Sequence, residues 1–259
     1  MAKQDRVGIT IRRTAGEVKR YRVWRRILPP GILAAILILV IGYVVSVLYM
    51  KFGSFTVSVN KMDGMNYALT LDETPDFVSP TSRLNAGIAE EITNIDGATL
   101  PAGLENVNGE HNGENYVAYT FYCKNMGQKT VTYSYEMYIA NMESEVEKAV
   151  RVRLYVDEFT GDGDDIHYAD YAWPRTDGGT GPEPGTVAFQ SGNTIVKDYI
   201  EHFMPGDITQ YTVVIWLEGP DPECVNKIIG GEFKMDMLIE VTRDETEDIA
   251  VEHGIPARS

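Results

Sequence analysis

Apolar and polar residues alternate along several stretches of this chain, and a period of two is the signature of a half-buried strand. Residues 54–60 place Phe55, Val57 and Val59 on one face, and residues 66–72 do the same with Tyr67, Leu69 and Leu71. Between them, Asp63-Gly64 predicts a tight hairpin. Residues 116–124 put Val117, Tyr119, Phe121 and Cys123 on one side. Residues 130–140 follow an Asn125-Met126-Gly127 turn, with Val131, Tyr133, Tyr135, Met137 and Ile139 inward. Residues 149–157, 210–218 and 232–242 repeat the pattern. One apolar face per strand is the expectation for antiparallel sheets packed face to face. The pattern therefore predicts an all-β antiparallel sandwich, jelly-roll-like, of seven to nine strands. Residues 84–92 are the one stretch with helical character.

One segment breaks the alternation. Residues 31–50 carry no charge and are almost wholly apolar, and a helix of that length spans a hydrocarbon core of about 30 Å. Nine cations and two carboxylates precede residue 27, a net +7, so everything after the run carries −22 against −15 for the whole chain. Basic flanks stay on the cytoplasmic side. The expected organisation is a basic cytoplasmic tail (1–26), a transmembrane signal-anchor (27–50), an extracellular β-sandwich (51–245) and a flexible tail (246–259). A cleaved secretory signal is the competing explanation. The run exceeds an ordinary signal core of roughly 7–15 residues, and residues 44–51 offer no pair of small residues for cleavage. The cations at 12–26 suit anionic headgroups, and the acidity beyond them disfavours nucleic acid as a partner.

Composition narrows the class further. Two cysteines, Cys123 and Cys224, exclude a disulfide scaffold. They leave open either a single bridge in an oxidising exterior or, for Cys123 on its apolar face, a buried thiol. No Asn-x-Ser/Thr acceptor occurs.

The C-terminal third carries a likeness. The run Pro205-Gly206-Asp207-Ile208, then residues 211–219, then Asp221-Pro222-Glu223-Cys224 and Gly230-Gly231, resembles the closing hairpin of Gram-positive surface proteins of the camelysin and TasA biofilm-fibre type. Residues 114–139 around the Asn-x-Gly turn resemble the same group. The resemblance implies a jelly-roll domain serving as a matrix or fibre component, and this chain departs from it by keeping its anchor. Camelysin-type proteins have been classed as zinc peptidases. The four histidines here, His111, His167, His202 and His253, form no His-Glu-x-x-His pair, and no Gly-x-Ser-x-Gly elbow or phosphate-cradling loop occurs. No enzyme is expected.

Residues 161–185, rich in Gly, Pro and Asp, read as a long excursion from the sandwich, and such loops are usually functional or mobile. Asp162, Asp164 and Asp165, with Asp170 nearby, supply hard oxygens for calcium, although their spacing does not fit an EF-hand. A solvated acidic loop explains the same residues. Tyr168, Tyr171 and Trp173 form an aromatic group suited to a glycan or protein partner, or to pinning the loop to its own domain. Trp216 fits either a sugar platform or a ring packed under a loop. The expected partners are the lipid bilayer and, on the cell surface, another copy of the chain, a second protein or a glycan. The first strand, following the anchor, could add to a neighbour's sheet edge or pair within its own sandwich.

Overall fold

The computed structural model describes residues 31–32, 34–44, 55–60, 69–87, 92–158, 167–176, 178–179 and 181–245. The chain divides into two compact units, Met1–Lys51 and Phe52–Ser259. In the first, residues 31–32 and 34–44 are helical. Ile32, Ile36, Leu37, Ile38, Leu39, Val40, Ile41, Tyr43 and Val44 are all exposed there. Among the described residues no helix is long and apolar enough to cross a membrane. The basic tail expected at 1–26 and the flexible tail expected at 246–259 lie outside the described residues.

The second unit is mostly β, built from two mixed sheets in a sandwich-like arrangement. Its strands are β1 (Phe55–Asn60), β2 (Leu69–Asp72), β3 (Arg83–Asn85), β4 (Gly109–Glu110), β5 (Tyr116–Asn125), β6 (Val131–Met142), β7 (Val150–Glu158), β8 (His167–Ala172), β9 (Val187–Ala188), β10 (Thr194–Phe203), β11 (Ile208–Leu217) and β12 (Phe233–Asp244). One sheet runs β10-β6-β12-β1-β3, the other β2-β5-β11-β7-β8-β9, with β4 also on β5. From β5 onward the chain passes repeatedly from one sheet to the other, so each long strand gives its apolar face to a shared interior.

That interior holds the residues the alternation selects. Phe55, Val57, Tyr133, Tyr135, Met137, Met235, Met237 and Ile239 come from one sheet, and Val117, Tyr119, Phe121, Cys123, Val152, Leu154, Tyr211 and Val213 from the other. Aromatic rings fill it: Phe121 stacks on Tyr211 at 5.2 Å, and Tyr135 meets the Tyr211 ring edge-on at 5.3 Å from the opposite sheet. The phenol of Tyr133 lies 2.8 Å from that of Tyr211 and donates to Thr209 Oγ1 at 2.9 Å. This pairing satisfies polar atoms that burial would otherwise strand. Burial pushes both phenols well above their ordinary range.

Four expectations are corrected. The sheets are not purely antiparallel, because β1 runs parallel to β12 and β8 parallel to β9. No β1–β2 hairpin forms: β1 lies between β12 and β3, while β2 pairs with β5 in the other sheet. With both edges of β1 occupied, Leu71 finds burial on the opposite layer, and this outweighs a local Asp-Gly turn preference. Helical character is absent from the described residues of 84–92 as well, and Leu84 sits in β3 opposite Val57. Twelve strands occur among the described residues rather than seven to nine, the surplus being mostly pieces of two or three residues.

Candidate functional site

The excursion read at 161–185 is partly a strand. β8 pairs antiparallel with β7 in a register that sets Arg153 opposite Asp170. Both carboxylate oxygens of Asp170 accept from that guanidinium, Nε at 2.6 Å and Nη2 at 2.8 Å. These bonds raise the Arg153 guanidinium above its ordinary value, and they occupy the oxygens offered above to calcium. Asp162, Asp164 and Asp165 lie outside the described residues. The aromatic group divides between two faces. Tyr171 and Trp173 pack against the interior, Trp173 edge-on to Phe189 at 6.0 Å. Tyr168 points outward, 57% exposed, with its ring 5.1 Å from Tyr155 and the Arg153 guanidinium 4.6 Å from its centroid. Two of the three aromatics therefore hold the segment to its own domain.

Trp216 is 2% exposed on the outer face of its sheet, in a second small core with Leu104, Ala118, Tyr155 and Val214. Ile95 and Leu100, from the segment that includes the 3₁₀ turns Gly97–Thr99 and Leu104–Asn106, pack against this cluster. The indole Nε1 donates to Glu218 Oε2 at 2.7 Å. It is packing under a loop, not an open platform.

The cysteines are both free, Cys123 buried and Cys224 half-buried. Cys123 lies beside Thr209 at the start of β11, and Cys224 follows the far end of that strand. Eight residues of strand at about 3.3 Å each separate those ends, roughly 26 Å, whereas a bridge needs Cα atoms within about 7 Å. The two thiols are unbridged in this arrangement: Cys224 Sγ accepts from Asn94 Nδ2 at 3.3 Å, and burial raises the Cys123 thiol. The described histidines stay apart. His111 Nδ1 lies 2.8 Å from the Gly109 carbonyl, His167 opens β8, and His202 Nδ1 sits 2.7 Å from Glu245 Oε2. His253 lies outside the described residues.

The densest charged grouping was not visible in the sequence. Glu183, Asp221 and Glu223 each offer an oxygen within 4.8 Å of the others. Arg151 on β7, 4% exposed, is the counter-ion of Asp221 and Glu183. Its Nη2 bonds Asp221 Oδ2 and lies 3.9 Å from Glu183 Oε2. Asp221 Oδ1 in turn accepts from the Glu223 backbone N–H at 2.7 Å. Three carboxylates around one guanidinium could hold a hard cation by charge and donor type, but the Arg151 side chain already supplies positive charge between Asp221 and Glu183. The arrangement ties together the middle of the 173–193 segment, the start of β7 and the loop after β11. Comparison with known proteins adds no family. No protein-family model matches the chain, and no curated protein matches it.

Proposed function

We propose that this chain is a single-pass membrane-anchored protein of a Gram-positive cell surface, with its N-terminus cytoplasmic and its sandwich domain outside, acting in matrix assembly or adhesion. The observation that carries this reading is the helix at residues 31–32 and 34–44. It is apolar on every side and exposed on every side, a pattern suited to lipid or to another protein's interior and costly in water. The uncharged run continues to residue 50, with +7 before it and −22 after it. The finer fold assignment is a jelly roll. It is supported by the orders β1-β12-β6-β10 and β5-β11-β7-β8, in which consecutive strands from β5 on mostly belong to opposite sheets.

The domain's role would be structural rather than catalytic. Its built features are an aromatic interior, a buried ion network and short strands at three of the four sheet edges, which suit a stable module displayed on a surface. Strand exchange between copies would require β1 to leave six register positions on β12 and three on β3, so a self-paired β1 is the ground state.

The test is topology in intact cells. With tags at both ends, external protease should digest the C-terminal domain and spare the N-terminal tag, and deletion of residues 27–50 should release the protein from carbonate-washed membranes. Recovery of the full chain in the cytosol would overturn the proposal.

A further inference from the structure

The end of the domain at which β1 begins carries an exposed apolar tip. β12 starts two residues before Met235, the partner of Phe55. The loop ahead of it therefore projects past Phe55 on the side from which the chain arrives. In that loop Ile229 is 75% exposed and Val225 51%, while Ile228 is buried and fixes them to the domain. Met142, 39% exposed, ends β6 opposite Phe233. The Glu143 N–H donates to the Glu232 carbonyl at 2.9 Å and closes the two loops together. Around this tip Lys148 and Lys227 both pair with Glu145.

We infer that this tip rests on the outer surface of the bilayer, Ile229 and Val225 entering the interface with Met142 beside them. The inference rests on the anchored reading of residues 27–50. Four residues separate the apolar run from Phe55. At no more than about 3.6 Å per residue, they hold the Phe55 end within roughly 18 Å of the lipid. The loop that extends past Phe55 shortens that gap. Apolar residues kept at the interface by a tether do not pay the translational cost of finding it. Because the domain as a whole is strongly acidic, the contact is apolar rather than electrostatic and is expected on zwitterionic lipid.

The experiment uses the full chain in phosphatidylcholine vesicles, with Cys224→Ser and either Ile229→Cys or, as a control, Met204→Cys, each labelled with an environment-sensitive fluorophore. Met204 is 53% exposed and follows β10 at the opposite end of the sheet. The label at 229 should shift to the blue and be quenched by lipid-borne nitroxide, and the label at 204 should do neither. A Val225→Asp, Ile229→Asp double variant should abolish the same quenching read from Met142→Cys. Co-flotation with the vesicles and a water-exposed label at 229 would sink the contact and leave the anchor standing. Failure to co-float would remove the anchor and the contact with it. A label at 229 shielded from water but not quenched by lipid would assign the tip to a protein partner and overturn the inference.

Discussion

At the scale of single residues, the most consequential group is Arg151. Its guanidinium is the cation available to the buried Asp221 and Glu183 carboxylates. Removing one partner of a buried pair strands the other charge and costs about 3–5 kcal/mol. Arg151→Ala should therefore lose about that much in urea unfolding, and adding Asp221→Asn to it should recover part of the loss, because one stranded charge is gone. Glu145 makes a surface counterpart. It and Ser144 both adopt positive φ, 58° and 61°, an unusual pair for residues with side chains. Hydrogen bonds from Lys148 and Lys227 hold its carboxyl down at about 2, against an ordinary 4.5. A lowered acid pKa contributes stability that is present above 4.5 and lost as pH falls through about 2. NMR titration should find Glu145 ionised down to about pH 2, and Lys148→Ala with Lys227→Ala should return it toward its ordinary value.

At the scale of elements, the edges decide how the domain behaves beside its neighbours. β10 is an outer strand ten residues long, the kind that invites edge-to-edge pairing. The side-chain amide of Gln190 spans part of it, accepting from the Lys197 N–H at 3.0 Å and donating to the Lys197 carbonyl at 3.2 Å. Asp198 Oδ1 accepts from the N–H of Tyr199, two residues beyond Lys197, at 2.9 Å. Gln190→Ala should leave folding nearly unchanged, by about 1 kcal/mol or less, yet promote concentration-dependent association in light scattering. β10 also shows why part of the fold was illegible. Register shifts between Thr194 and Val196 and between Ile200 and Phe203 break its alternation, with His202 at φ 55° inside the second. Lys197, Asp198 and Tyr199, in the regular stretch between those shifts, are exposed in succession at the edge of the sheet. β8 was hidden differently: only Ala172 of its six residues is buried, so no apolar face marks it. The seven alternating stretches, by contrast, were found because each gives one face to the shared interior. The Arg151 grouping had no local signal at all, since its members come from three separate segments and meet only through the tertiary fold.

At the scale of the whole molecule, the placement of the two terminal strands has a mechanical consequence. β1 and β12 are adjacent and parallel over six register positions, from Phe55 beside Met235 to Asn60 beside Glu240. The chain enters β1 at one end of this pair and leaves β12 at the other. Tension applied between the two termini therefore slides the strands lengthwise, loading their hydrogen bonds together instead of peeling them one by one. Bonds that share a load yield at higher force than bonds opened in sequence. A load pulling on the far end of this domain would meet a shear clamp, formed because the first strand lies beside the last and points the same way.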